Sequence, residues 1–417
     1  MLPSIEHDLR QIARYPARAP IIRRFSIPTQ QMASTPAHTL APRTGTALLH
    51  IGFVLTGVMT VLLGPTLPLL SARWSINDAQ AGYLFTSQFA SSIVGVAISS
   101  WLIQRRGYRL TLMLGMTLMG VGAGLLATAS WRVGLASVGV YGAGYGVASA
   151  TTNLLVSELN PHRRASALNL LNFSWGIGAV GCPFLVAALQ RANLMLVFWY
   201  GMAVLLAVET LFLGLIRLPV LKSETRTPGR GQVWRSRLFP ILGALFFVYV
   251  GTETSVGGWI ASYARRIDVA SGTFWVTTPS FFWGALLVGR ALAPVLLCRT
   301  RETNLASAGL VLSSLGIALL LIAHTMTSVV IGAMLAGLGL SSVFPINISL
   351  ISVWLGEEGV RFGGVMFALA GLGGATLPWL VGLLSTQTGN LKAGLVVPFL
   401  GSAIMLALYF ANRGAQR

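Results

Sequence analysis

GIGAVGCP, Gly176 to Pro183, and GLGGATLP, Gly371 to Pro378, carry glycines and a proline at the same spacing, displaced by 371 − 176 = 195 residues. The same displacement lays Gly142 and Gly144 over Gly337 and Gly339. Both pairs fall in long apolar runs, where small residues let membrane helices approach one another closely. Two matches in one register make the chain an internal repeat of two parallel copies.

Outward from these motifs, the 417 residues contain twelve nearly charge-free apolar runs: 46–70, 79–103, 110–129, 133–156, 165–189, 195–216, 238–263, 273–297, 304–323, 327–351, 361–384 and 391–412. Each has about the 20 residues that a helix needs to cross a hydrocarbon core of about 30 Å. The runs are continuous and do not alternate in polarity, so they read as helices rather than barrel strands. Hydrophobic residues make up 54% of the chain and charged residues 10%, against roughly 25% charged in a soluble domain, too little polar surface to coat a globule in water. The expected fold class is an all-α membrane protein with twelve transmembrane helices in two six-helix pseudo-repeats.

The expected organisation is a disordered cytoplasmic tail over 1–45, an N-terminal six-helix bundle over 46–216, a cytoplasmic linker over 217–237, a C-terminal bundle over 238–412 and a short tail over 413–417. Pro228, Gly229 and Gly231 give the linker its composition. Residues 1–45 are polar, with no apolar core of a signal peptide, and Met32 is read as the true start.

The net charge of +18 is decided by its placement. With the N-terminus cytoplasmic, the 29 Lys and Arg divide into 22 on that side, 6 on the other and Arg290 inside a span; leaving out five arginines of the distal tail, the ratio is still 17 to 6. Both termini therefore belong on the cytoplasmic face of a multi-pass inner-membrane protein. The linker's Arg217, Lys222, Arg226, Arg230, Arg235 and Arg237 favour anionic headgroups, and no folded basic surface is left over for nucleic acid. Cys182 and Cys298 are read as small packing residues without a disulfide.

After the second span the chain reads SWLIQRRGYR. Six plus six spans and this loop resemble the major facilitator superfamily, whose signature there is G-x-L-x-D-R-x-G-R; Arg105, Gly107 and Arg109 match it, while Ser100 and Gln104 stand where Gly and Asp are expected. YVGTETSVGGWIASYA, Tyr249 to Ala264, and NLLVSELNPHRRASALNLLNFSWGIGA, from Asn153, resemble the fucose, glucose and galactose permease branch. That resemblance implies secondary active transport: uptake of a neutral sugar or small polyol with H+ or Na+, by alternating access to a mid-membrane site. Where the fucose permease has an acidic residue in its fourth helix this chain has Ser149, so no ion carrier is transferred there.

Glu253 lies near the middle of the seventh span, where an ionised side chain costs at least about 2.5 to 3.5 kcal/mol unless it faces water or a partner. It is the expected ion-coupling residue, and Tyr249, one turn earlier, shares its face. For a polyol, Asn169, Asn172 and Trp175 form a polar and aromatic stripe on the fifth span, joined by Gln88, Asn153, Trp283 and Asn347. Indole faces cover the apolar side of a sugar ring while amides pair with hydroxyls; the plainer role for each is helix-packing glue. Arg105, Gly107, Arg109 and Arg290 are read as gating residues, Asp78 and Glu158 as solvated helix ends, and Glu209 as open between glue and chemistry.

Other classes are disfavoured. The two lysines, Lys222 and Lys392, lie in no phosphate loop, neither H-E-x-x-H nor G-x-S-x-G occurs, and His7, His38, His50, His162 and His324 are scattered. No enzyme activity, cofactor or metal site is expected. A proton-coupled exporter of drugs or metabolites is the alternative carrier, though Cys182 separates Gly181 from Pro183 and breaks the glycine-proline pattern of drug antiporters. A non-transporting membrane sensor is the alternative of another class.

Overall fold

The computed structural model describes residues 43–216, 236–267, 272–361 and 363–412. The expected tail up to residue 42, most of the basic linker (217–235) and the last five residues lie outside these. The described residues fold into fourteen helices and no strand: α1 Arg43–Val61, α2 Leu63–Trp74, α3 Asp78–Leu126, α4 Trp131–Leu159, α5 Arg164–Arg191, α6 Met195–Leu215, α7 Leu238–Ile267, α8 Phe274–Leu297, α9 Glu302–Ile322, α10 Met326–Leu340, α11 Val343–Arg361, α12 Gly363–Thr388, α13 Leu391–Gly394 and α14 Val396–Ala411. Helix α1 starts at Arg43, three residues ahead of the expected span.

Ten helical segments are long and apolar enough to cross a membrane, and the bent pair α1 and α2 makes an eleventh. The bend of 46° falls where Pro65 has no N–H to give to Val61. The 49-residue α3 folds back at Gly107, where φ 78° and ψ 173° leave the helix. A straight helix of that length would run to about 74 Å, more than twice the hydrocarbon core, so its two arms are two crossings and the described residues make twelve. A side chain at Gly107 would sit in the left-handed region that L-residues avoid.

The displacement holds for helix starts to within one residue: 195 from α4 at Trp131 to α10 at Met326, and 196 both from α3 at Asp78 to α8 at Phe274 and from α6 at Met195 to α13 at Leu391. The glycines are displaced by 195, and the carbonyls they approach by 195 to within two residues. A Cβ at Gly178 would meet the Val54 carbonyl at 2.0 Å, and one at Gly373 would meet Phe247 O at 1.8 Å. At Gly144 it would strike Gly115 O at 2.7 Å, and at Gly339 it would strike Gly309 O at 2.4 Å. The repeated glycines thus bring the same helix pairs into backbone contact in each half.

The halves meet along α3 against α12, α5 against α8, and α2 against α7 and α8. Lipid-facing apolar side chains remain exposed, among them Leu211, Leu215, Val295, Leu315 and Ile322, as the bilayer requires.

Candidate functional site

On α7, Glu253 is buried, and the hydroxyl of Tyr249 one turn earlier donates to its Oε1 at 2.9 Å and to Leu340 O at 3.2 Å. Arg290, from α8, brings Nη2 to the same Oε1 at 3.2 Å. The carboxyl therefore has a counter-charge and a phenol, the partners that make an intramembrane charge tolerable. The sequence had set Arg290 apart as a gate; the fold lays it on Glu253.

The guanidinium also reaches the other half. Its carbon lies 5.9 Å from the ring centroid of Trp175 on α5, within cation–π range. Trp175 meets Trp283 of α8 edge-on, with centroids 5.7 Å apart, and its indole N–H donates to Thr60 Oγ1 at 3.2 Å. Thr60 O accepts from Gln88 Nε2 at 2.9 Å, and Tyr141 closes on Gln88 Oε1 at 3.3 Å. Tyr145, on α4, lies beside Thr60 and Ser149. A continuous polar and aromatic chain thus links Gln88 in one half to Glu253 in the other. Thr60 and Tyr145 were missed in the sequence because a lone threonine or tyrosine in an apolar span carries no signal of its own.

The other expected site residues are dispersed. Asn172 and Asn153 donate to Leu168 O and Ser149 O on their own helices. Asn169 and Asn172 are exposed on α5, on the flank where Gly176 and Val180 meet α8 further along. Asn347 is fully buried and accepts from Tyr409 at 2.6 Å, away from the cluster. Arg105 stacks on Trp101 at 4.6 Å, and Arg109 is exposed. Glu209 is buried with Oε1 unpartnered, close enough to Gly52 that a Cβ there would come within 2.8 Å of it.

Among the described residues, seven hydrogen bonds join the halves, and all lie between the middle of the bundle and the end opposite the termini. Asp78 is their centre. Its Oδ1 pairs with Arg266 of α7 at 2.6 Å, its Oδ2 accepts from Ser385 of α12, and the next residue's N–H donates to Thr386 at 2.8 Å. The 195-residue repeat turns residue 78 into Thr273 and Thr386 into Arg191, and Arg191 donates to Thr273. Two clasps therefore sit symmetrically at this end, one built on a carboxylate and one on a guanidinium. Asp78, expected as a solvated helix end, instead holds the halves together; its neighbour Asn77 is the N-cap.

A narrow cleft lies at the seam beside the cluster, lined from both halves by Thr60, Phe85, Phe89, Thr254, Gly257 and Trp283 among others.

The Major Facilitator Superfamily model matches residues 49–325. A glucose/mannose transporter of Bacillus subtilis is 24% identical over 81% of this chain and 87% of its own. A sodium-dependent glucose transporter 1A of Mus musculus is 22% identical over 87% of this chain and 94% of its own. Among solved structures, FucP in the outward conformation superposes with a TM-score of 0.61 over 88% of this chain and 98% of that one, at 18% identity.

Proposed function

Because the chain belongs to the major facilitator superfamily and is a multi-pass membrane transporter, we propose that it takes up a neutral sugar or small polyol together with H+ or Na+, exposing one mid-membrane site to each side in turn. The single observation that carries this reading is the Glu253 carboxyl, shared between Tyr249 and an Arg290 that also lies over an indole of the opposite half. A cation arriving at Glu253 releases Arg290 from its counter-charge and frees it to meet a substrate oxygen. Loss of the cation restores the pair. The state of one carboxyl is in this way coupled to the seam between the halves.

The chemistry of the surroundings supports a neutral polyol. Arg290 is balanced by Glu253 while no cation is bound, and it is the one cation of the cluster. Trp175 and Trp283 provide indole faces of the kind that cover a sugar ring. Two proteins similar to this chain along most of its length bear glucose in their names.

The 17 to 6 bias of basic residues puts the termini in the cytoplasm of an inner-membrane protein, with the Asp78 clasp on the outer face. The conformation described above is then the inward-facing one, and the clasp must break for the site to face outward. The charge of the linker's basic residues favours anionic headgroups of the inner leaflet.

The test is uptake of a radiolabelled sugar panel by proteoliposomes under an imposed proton or sodium gradient. Gradient-driven accumulation of a hexose is expected. Binding without flux would identify a sensor, and absence of sugar uptake under either gradient would refute the proposal.

A further inference from the structure

The cleft at the seam has an unusual polar complement. Its walls are aromatic and glycine surfaces, and three of its lining residues bring polar side-chain atoms: Thr60, Thr254 and Trp283. Each hydroxyl's single proton is already spent, since Thr60 Oγ1 donates to Thr56 O at 2.7 Å and Thr254 Oγ1 donates to Val250 O at 2.6 Å. Thr60 also accepts from Trp175. Thr254 is left as an acceptor.

Trp283 is the reverse case. It is only 6% exposed, and its indole N–H is buried with no acceptor. The ring cannot swing to find one: it stands edge-on to Phe282 and Trp175, with centroids 4.9 and 5.7 Å away. A Cβ on Gly257 would already be 2.6 Å from its Cζ2. A buried donor left unpaired is costly enough to need an explanation. The space it borders measures about 20 Å3 for the centre of a water-sized group, where about 10–15 Å3 admits one water.

We infer that this cleft reads one hydroxyl of the substrate, which accepts from the Trp283 indole N–H and donates to Thr254 Oγ1. One donor and one acceptor, in a space of one water, match a hydroxyl group and nothing of another charge type. A carboxylate would find a single donor and face Thr254 oxygen to oxygen. A methyl would leave both protein groups unpaired. The assignment rests on the polyol reading and adds to it a discriminating corner with named residues.

Uptake kinetics in proteoliposomes, with the transported hexose and its complete monodeoxy series, tests the assignment. One monodeoxy derivative is expected to show a KM about tenfold or more above the parent. In Trp283→Phe, which keeps an aromatic ring and removes the donor, that ratio should collapse to within about threefold while the other derivatives keep theirs. Thr254→Val, which exchanges the hydroxyl for a methyl of the same shape, should collapse the same ratio, and it carries the test if Trp283→Phe does not reach the membrane. A uniform loss across the whole series, or wild-type indifference to every deoxy position, overturns the assignment and leaves sugar transport standing. If wild-type protein takes up no sugar, both readings fall together.

Discussion

Replacing Asp78 by Asn removes the charge at the centre of the clasp while keeping its shape. Arg266 leaves 46% of its side chain in solvent and Asp78 leaves 15%, so their ion pair is discounted for screening to about 0.5–1 kcal/mol. The charge-assisted bond from Ser385 loses about another 1 kcal/mol when its acceptor becomes an amide. Together the closed form of this end loses about 1.5–2 kcal/mol, roughly a 10- to 30-fold shift toward the open form. Spin labels on Arg132→Cys and Gln387→Cys, exposed positions of the two halves at that end, report the opening as a distance distribution, with Cys182 and Cys298 replaced. A longer-distance population should grow in Asp78→Asn, and about 1 M salt, which shortens the screening length to about 3 Å, should reproduce part of it in the wild type. An unchanged distribution in both would show that the clasp does not hold the halves.

Gly373→Ala drives a Cβ to 1.8 Å from Phe247 O and should cost about 3 kcal/mol or more. Thermal unfolding in detergent should show a large drop, against little change for Gly181→Ala, which meets nothing within 4 Å. Arg290→Met strands Glu253 without its counter-charge and should destabilise by about 3–5 kcal/mol. Adding Glu253→Gln should recover most of that loss, and a double variant no more stable than Arg290→Met alone would deny the pairing.

The bundle was legible because its determinants are local. Run length against bilayer thickness located the spans, and GIGAVGCP with GLGGATLP located the repeat, since the close approach of two backbones admits little besides glycine. The site was legible only where one residue is anomalous by itself: Glu253 stands out because a carboxyl in an apolar span is expensive. Its pairing with Arg290, 37 positions away, depends on which helix lies alongside α7, and periodicity within one helix does not contain that. Asn153 and Asn172 show the converse. An asparagine in a span looks like a ligand, yet its amide can be satisfied one turn back on its own helix. Asp78 looked like an ordinary helix end because its partners, Arg266 and Ser385, come from the other half.

The central claim is that the Glu253 carboxyl couples an ion to the substrate. The direct measurement compares Glu253→Gln with wild type in proteoliposomes, following gradient-driven accumulation and substrate exchange at equal substrate on both sides. Accumulation should vanish while exchange persists, because the amide keeps the geometry with Tyr249 and Arg290 but cannot bind and release a proton or balance a cation. Undiminished accumulation under the same gradients would contradict the account.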